Sequence, residues 1–439
     1  MKRFAEIIAS LLVLFAAASC DLAVFGPEHS PTVKDYDRVL ILYSAGYNSI
    51  SSYLKGDIDE IIQLSNAPLP LKGGRKALVV VTHSTTRAFD YSTPTSPYVI
   101  NIFRDFDGKV VCDTVLTMEA GTILTTKKGA ETALGFIQEH FPSQHYGMIF
   151  SSHGTGWLPR GYYGKTGTDE ELIWTSAGAH TAKEDTIDAP EGAVPYIEPY
   201  QDDMPVKSLG NEVVQTTSGT WAYEFEIYDF PNCVPMHLDY LLMDACLMGG
   251  IEVAYEFRHI TDYIGFSAAE IPAEGFYYPG MVSHLLQPSP ADPQAVCEEF
   301  YNSVQNRSGS AKTAVISYID CSKLEALGKV CLDLFEKYRD EIASINPTRV
   351  QKFYRHNQHY FYDLRDILKN AGISYEDSKR FEAALNDCVL YEAHTPRVMN
   401  SVEIKTHCGF SMFLPCHGNN ELREFYKKLA WNEATALVK

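Results

Sequence analysis

LDYLLMDACLMGG, residues 238–250, is the stretch around which this chain is organised. Its first five residues are typical of the end of a buried strand, and Cys246 stands just beyond the point where that strand is expected to stop. A helical pattern of apolar residues begins at Ile251. Open α/β sheets place their active sites at the carboxyl ends of central strands, and the N-terminus of a following helix favours a thiolate. Cys246 is therefore a candidate nucleophile, although a free cysteine is also often a plain core residue.

A histidine lies in an equivalent position after another predicted strand. Tyr146 to Ser152 form an apolar run of strand length, and His153 and Gly154 follow directly. The glycine lets the backbone come close to a substrate. A single His at a strand end is unremarkable, but together with Cys246 it makes the pair that covalent catalysis needs. The histidines without this His-Gly context are predicted to be structural, among them His83, His145 and His237.

Composition indicates an ordinary globular protein that does not bind nucleic acid. The 439 residues are 45% hydrophobic and 21% charged, and the net charge of −19 supplies no basic face for a phosphate backbone. Besides Cys20 and Cys246 there are eight irregularly spaced cysteines, and the sequence holds no Cys-x-x-Cys pair. This argues against a zinc site, and it leaves open one or two disulfides that the sequence cannot assign. The other cysteines are Cys112, Cys233, Cys297, Cys321, Cys331, Cys388, Cys408 and Cys416.

The N-terminus predicts export with a lipid anchor. Lys2 and Arg3 precede an apolar run over residues 7–18, and Ala-Ala-Ser leads into Cys20. The run is too short for a membrane span and matches a signal peptide, residues 1–19, with a bacterial lipoprotein box. Cys20 would then be lipidated at the start of a tether over residues 20–35. The alternative is simple signal cleavage near Ser19, with Cys20 incidental.

The remaining pattern predicts an α/β fold with a mostly parallel central sheet. Strands are expected at 38–43, 77–82, 98–103, 110–116, 263–267, 313–319, 389–392 and 410–414, and helices at 130–140, 324–342, 349–361, 378–385 and 422–437. A helix capped by Asn48 follows the first strand. Residues 158–220 lack periodicity and are interpreted as a long insertion loop that flanks the site, with a role-free insertion as the alternative.

Several of these segments resemble the clostripain-like branch of the caspase, gingipain and legumain group of cysteine peptidases. The two most specific are HGTGW at 153–157 and DACLMGGIEVAYEF at 244–257. The segments DRVLILYSAGYNSISSYLKGDIDEI, SAAEIPAEGFYY, YDLRD and CGFSMFLP extend the likeness over roughly residues 36–435. The resemblance implies a caspase-like three-layer sandwich, with a catalytic domain over residues 36–285 and a C-terminal α/β subdomain, residues 286–439, packed on it.

The resemblance also implies roles for individual residues. Cys246 and His153 would act as a dyad, and the amide groups of Gly154 and Cys246 would form an oxyanion hole. Asp244 would line the pocket for an Arg or Lys side chain. Glu274 falls where the family usually has Asp, in a run that also lacks the family's Trp, and this departure allows an altered specificity. Members of the family can respond to calcium, but the sequence has no calcium loop and no cofactor is expected.

These observations predict a membrane-anchored, exported cysteine endopeptidase that cleaves proteins or peptides after Arg or Lys. Two other functions remain open at this point. One is a transpeptidase, or a peptidase of different specificity, on the same dyad. The other is a surface binding lipoprotein that kept the fold without the chemistry. The presence of both Cys246 and His153 argues against the binding protein, because a scaffold needs neither.

Overall fold

The apolar runs of the sequence form the centre of a nine-stranded sheet. The computed structural model describes residues 35–63, 68–162, 189–196, 210–287, 289–355 and 360–439. The strands are β1 Arg38–Gly46, β2 Lys76–Ser84, β3 Tyr98–Arg104, β4 Val110–Thr117, β5 Tyr146–Ser151, β6 Val194–Pro195, β7 Asn211–Thr216, β8 Gly219–Glu224, β9 Leu238–Asp244, β10 Thr261–Phe266, β11 Val315–Asp320, β12 Tyr362–Asp363, β13 Val389–His394, β14 Arg397–Val398, β15 Val402–Glu403 and β16 Ser411–Met412.

Helices flank this sheet on both faces. They are α1 Ser51–Gln63, α2 Lys127–His140, α3 Ile251–Phe257, α4 Tyr278–Leu286, α5 Pro293–Ser303, α6 Leu324–Lys337, α7 Arg339–Ala343, α8 Leu364–Asn370, α9 Tyr375–Cys388, α10 Asn420–Tyr426 and α11 Ala430–Thr435. Alternation along β10 separates the two layers. On one face, Gly265 lies against the Cys297 thiol of α5. On the other face, the ring of the next residue, Phe266, lies 6.1 Å from the ring of Phe410. The fold is thus a mixed α/β sandwich, as predicted.

The strand order explains why the central runs are so apolar. The order is β13-β11-β10-β9-β5-β1-β2-β3-β4, and the five strands from β10 to β2 run parallel. All nine residues of β1 are buried, because helices cover both of its faces. Antiparallel strands complete both edges of the sheet. The strands predicted at 98–103 and 110–116 are confirmed as β3 and β4, which form an antiparallel hairpin.

The sheet draws on both predicted parts of the chain. β11 and β13 follow residue 286 in sequence, yet they extend the same sheet as β1 and β9. Residues Asp35–Lys439 form one compact unit. The subdivision into residues 36–285 and 286–439 stays a prediction. The signal peptide, Cys20 and the tether up to residue 34 lie outside the described residues. None of the described helices is long and apolar enough to cross a bilayer.

The helix predicted over residues 349–361 is wrong for the part that the structure describes. Residues 349–355 and 360–361 double back instead, with Lys352 bridged to Tyr362 and the Phe353 amide donating to the Phe361 carbonyl at 3.1 Å. Both phenylalanines are fully buried. Their apolar spacing therefore reflects burial in a turn and not one face of a helix, a case in which tertiary packing overrides the local pattern.

The C-terminal helix predicted over residues 422–437 is divided into α10 and α11. The break falls near Leu429, whose amide donates to the Tyr426 carbonyl in a turn. Glu256 of α3 then accepts a hydrogen bond from the Ala430 amide at 2.7 Å. This side chain satisfies one of the amides that a helix start leaves unpaired, so a new helix begins there. The predicted helix over residues 324–342 is likewise divided, between α6 and α7 at Tyr338.

The stretch predicted as a structureless loop, residues 158–220, contains ordered strands at its end. β7 and β8 form an antiparallel hairpin, and β6 pairs with β8. Val213 in this hairpin is fully buried and donates its amide to the Tyr47 carbonyl at 2.8 Å. The polar composition hid these strands because two of the buried positions, Asn211 and Glu212, are polar residues that are paired with Glu224 and His83. Residues 163–188 and 197–209 lie outside the described part of the chain.

Candidate active site

Two adjacent parallel strands bring the candidate nucleophile and base to the same edge of the sheet. Ser151 at the end of β5 pairs with Asp244 at the end of β9. His153 and Cys246 each lie two residues beyond this pair. Both side chains are nearly inaccessible, with exposed fractions of 3% and 2%. The site is therefore an enclosed carboxyl edge of the sheet, where α/β folds place their active centres.

The Cys246 sulfur is held by the loop that follows β10. The Ile271 amide donates to Sγ at 3.2 Å, and the Ile271 carbonyl lies 3.6 Å from it. The next residue, Leu247, has a left-handed backbone with φ of 60°, a conformation that costs a non-glycine residue roughly 1–2 kcal/mol. Its amide donates to the Ala269 carbonyl at 2.9 Å, which helps to hold the turn. The following helix, α3, begins at Ile251, as the pattern predicted. The Ile271 amide that donates to the sulfur belongs to the loop after β10 and not to this helix.

His153 contacts a residue that the sequence reasoning missed. The Ser49 hydroxyl lies 3.0 Å from Nε2 of the imidazole. Ser49 belongs to the loop between β1 and α1, and no spacing rule connects it with a histidine more than a hundred residues further along the chain. The only available signal was topological, because β1 and β5 are neighbours and their carboxyl ends meet.

The glycines after His153 keep the turn narrow. Gly154, which follows His153 and was predicted to supply an amide to the oxyanion hole, is buried. Gly156 has φ of 61°, and a Cβ there would lie 2.7 Å from the Leu247 carbonyl and 2.5 Å from the Phe361 ring. No larger residue fits at Gly156 without moving the backbone next to the candidate nucleophile. A glycine is needed at residue 156 because the turn after His153 packs closely against the turn after Cys246.

Asp244, predicted to bind a basic side chain, is completely buried and already engaged. Its carboxylate accepts hydrogen bonds from the Tyr278 hydroxyl at 2.8 Å and from the Ser151 hydroxyl at 3.3 Å. Burial, and after it the Asp244 charge, holds the pKa of Tyr278 well above its ordinary value. Tyr278 is therefore a neutral donor over the physiological range. Any basic side chain that reaches Asp244 would share the carboxylate with these hydroxyl groups.

Glu274, the second predicted pocket acid, is exposed on the loop after β10. Its neighbour Ala273 is buried in a small apolar cluster with Ile50 and Leu54. This cluster places the Glu274 loop against the start of α1, close in sequence to Ser49. The two predicted pocket acids therefore differ in exposure, since Asp244 is enclosed and Glu274 faces solvent.

A buried ion pair next to the sulfur-binding loop was also missed. Glu270, adjacent to Ile271, lies 2.9 Å from the Arg355 guanidinium, and the side chains are only 1% and 12% exposed. A buried carboxylate needs such a partner. The signal in the sequence was an acid inside an apolar stretch, SAAEIP, but its arginine lay in the segment that was wrongly predicted to be helical.

The remaining thiols and histidines have structural surroundings. The nine cysteines in the described part of the chain are all free. Burial raises the pKa of the Cys297, Cys331 and Cys408 thiols, and a thiol attacks only as the thiolate. His83 contacts Glu212 at 2.8 Å in the core, and the other two histidines predicted to be structural pair with surface aspartates. Among the described residues no His, Cys, Asp or Glu cluster is arranged to hold a metal ion.

The fold and this edge define a protein of the caspase-like class. Residues 225–436 match the clostripain family of C11 peptidases, a stretch that includes Cys246. This match and the shared fold identify a cysteine-type peptidase, a hydrolase, that is similar to the clostripain family over these residues. No curated protein sequence shows significant similarity to it.

Solved structures of C11 proteases share this fold. An inactive zymogen C11 protease from Parabacteroides distasonis is 22% identical, with a TM-score of 0.70, and the match covers 92% of this chain and 99% of the other. A secreted C11 cysteine protease from Bacteroides thetaiotaomicron in complex with an irreversible peptide inhibitor is 21% identical, with a TM-score of 0.68 and coverage of 91% and 99%. At these identities the likeness establishes the shared caspase-like architecture.

Proposed function

We propose that this protein is a cysteine endopeptidase that cleaves after Arg or Lys through a dyad of Cys246 and His153. The observation that carries the proposal is the strand register, in which His153 and Cys246 lie equally far beyond the paired residues Ser151 and Asp244. A nucleophile and a base at one edge of a sheet are the minimum requirement for acyl transfer.

The proposed reaction proceeds in two halves. The Cys246 thiolate attacks the scissile carbonyl carbon, a C–S bond forms, and the amide groups of Gly154 and Cys246 receive the oxyanion. The intermediate collapses as the His153 imidazolium gives its proton to the leaving amine, and a thioester remains. Imidazole then takes a proton from water, the resulting hydroxide attacks the thioester, and the thiolate leaves. Imidazolium and thiolate are thereby restored.

The proposed substrate preference rests on the acids around this edge. Asp244 precedes the nucleophile by two residues, and Glu274 lies on the loop whose amide contacts the sulfur. A carboxylate in an enclosed pocket favours a cationic side chain, and Arg offers a planar fork for it. Substrates are proteins or peptides, since these are what a peptidase of this class hydrolyses.

A second specificity is favoured by one observation. Asp244 already accepts hydrogen bonds from Tyr278 and Ser151, so its charge is partly compensated without a substrate. A peptidase that prefers a neutral residue before the scissile bond is therefore the alternative on the same dyad. Cleavage products identify which of the two operates.

The proposed location is the bacterial cell envelope, with a lipid anchor at Cys20. Support comes from the basic start, the short apolar run and the Ala-Ala-Ser-Cys sequence. The similar protease from Bacteroides thetaiotaomicron is described as secreted, which agrees with export.

A cleavage profile tests the function directly. The protein without its first 20 residues is incubated with a peptide library, and the products are sequenced by mass spectrometry. The expected result is cleavage after Arg and Lys that disappears in Cys246→Ala. Cleavage that persists unchanged in this variant, or no cleavage by the parent, contradicts the proposal.

A further inference from the structure

The loop between β1 and α1 lies against the candidate base. Ser49, in this loop, is partly buried, and its Oγ is 3.0 Å from His153 Nε2. That distance is a normal hydrogen bond. When the ring is the imidazolium, Nε2 is protonated and must be the donor, so the serine oxygen accepts.

A single carbonyl group ties this loop to the strand that carries His153. The Ala45 carbonyl accepts from the Ser152 hydroxyl at 2.6 Å and from the Asn48 side-chain amide at 3.1 Å. Ser152 is the residue before His153, and Asn48 is the residue before Ser49. Ser49 and His153 therefore each follow a residue whose side chain donates to the Ala45 carbonyl.

The hairpin of β7 and β8 supports the loop from outside. The Asn48 amide also donates to the Asn211 carbonyl at 2.7 Å, and its Oδ1 accepts from the Ile50 amide at 3.1 Å. The Val213 amide donates to the Tyr47 carbonyl at 2.8 Å. Every one of these bonds is buried or close to the core, where an unmade hydrogen bond is costly. The backbone around Ser49 is thus held on both sides.

We propose that Ser49 is a positioning residue that fixes the His153 imidazole through Nε2, so that the proton transfers of peptide cleavage run through Nδ1. The inference rests on the proposed function, because it assigns a role within the same dyad. Ser49 touches neither the sulfur nor the substrate in this role. It restricts rotation of the ring and stabilises the charged ring that donates a proton to the leaving amine.

The consequence is a specific kinetic signature. A residue that orients the base changes the chemical step and leaves substrate binding nearly intact. Loss of the Ser49 hydroxyl should therefore lower kcat by about tenfold, as expected for one hydrogen bond to a charged group, with KM changed less than about twofold. Alkylation of Cys246 by iodoacetamide should slow by a similar factor, because the imidazolium that pairs with the thiolate is less stable.

An isosteric pair separates the hydroxyl from the shape of the side chain. Ser49→Thr keeps the oxygen, and Ser49→Val has nearly the same volume without it. We expect the threonine variant to retain at least about half of the parent kcat, and the valine variant and Ser49→Ala to lose about tenfold. Ser52→Ala is the matched control, since Ser52 is an exposed serine on the same helix start and should leave kcat unchanged.

The outcomes distinguish this inference from the proposed function. If the parent shows Cys246-dependent cleavage but the threonine and valine variants have equal kcat, Ser49 has no positioning role. A loss confined to KM or to thermal stability also overturns it, because a purely structural residue behaves in that way. If the parent itself does not cleave peptides in a Cys246-dependent manner, the proposed function fails first.

Discussion

Ser151 and Asp244 are paired neighbours at the ends of two adjacent parallel strands, and the Ser151 hydroxyl lies 3.3 Å from the Asp244 carboxylate. The pairing sets the spacing of the candidate site, because His153 and Cys246 each follow one of these two residues by two positions. The relationship leads to the first prediction, which concerns the dyad itself.

His153→Ala and Cys246→Ala should each lower kcat by several orders of magnitude without unfolding the chain. The double variant should be little worse than either single one, since residues that act as a unit are not additive. The measurement is kcat on a cleaved peptide, together with thermal unfolding to verify the fold. Full activity in either single variant contradicts the assignment.

Asp244→Asn should weaken cleavage after Arg and Lys by roughly 2 to 4 kcal/mol in transition-state binding, because an enclosed charge pair loses one partner. Gln or Leu before the scissile bond should be affected far less. The measurement is kcat/KM for the four residues at that position in the parent and in Asp244→Asn and Glu274→Gln.

Tyr278→Phe is the matched control for the acidic pocket. It removes the hydroxyl that donates to Asp244 and leaves the carboxylate charge in place. This variant should keep the preference for basic residues. If the parent prefers Leu or Gln, or if Asp244→Asn slows all four substrates equally, Asp244 does not select a basic residue before the scissile bond.

Cys20→Ala should release the protein from membranes, because a lipidated cysteine would be the only anchor in this prediction. The comparison is cell fractionation of the parent and the variant, with intact mass to detect the lipid on the parent. A parent without lipid mass and a variant that stays bound would show that the lipoprotein interpretation is wrong.

Residues 158–220 should be cleaved by the enzyme itself, since the stretch is long and polar and holds Lys165, Lys183 and Lys207. Its end, the β7–β8 hairpin, should remain attached after cleavage because the Asn211 carbonyl holds Asn48. The test compares fragmentation of the active enzyme with that of Cys246→Ala. Equal fragmentation of the active enzyme and Cys246→Ala, or no fragmentation of either protein, argues against autoprocessing.

Glu252 on α3 should make stability fall as the pH rises. Burial raises its pKa from 4.5 to about 7, although the Phe413 amide and the Tyr426 hydroxyl both donate to it. Below about pH 4.5 the carboxyl is neutral in the folded and the unfolded state, so its contribution is fully present. Between about pH 4.5 and about pH 7 the unfolded chain ionises first, and up to about 3 kcal/mol of stability is lost.

Glu252→Gln removes this titration and keeps an oxygen that accepts both hydrogen bonds. The free energy of unfolding, measured by urea denaturation across this window, should therefore decline less in the variant than in the parent. Glu336→Gln is the control, because Glu336 is an exposed glutamate on α6. A parallel decline in the parent and Glu252→Gln would exclude Glu252 as the source.

The sequence by itself determined the class of fold and the two residues of the candidate dyad. Continuous apolar runs such as the one before Cys246 predict strands buried on both faces, and the chemistry of a strand-end His and Cys is recognisable without coordinates. These features are local, because a strand and the residue that ends it are adjacent in the chain. The same holds for the Ala-Ala-Ser-Cys sequence at the N-terminus.

Tertiary structure alone decided which distant groups surround that pair. Ser49 reaches His153 and Ile271 reaches the Cys246 sulfur because neighbouring strands align their carboxyl ends. Arg355 reaches Glu270 because a segment far along the chain packs beside the same loop. It also decided that residues 349–355 turn back where the apolar spacing predicted a helix. Hydrophobic periodicity records that a side chain is buried, but the partner that buries it, and the hydrogen bonds made there, depend on the packing of segments far apart in sequence.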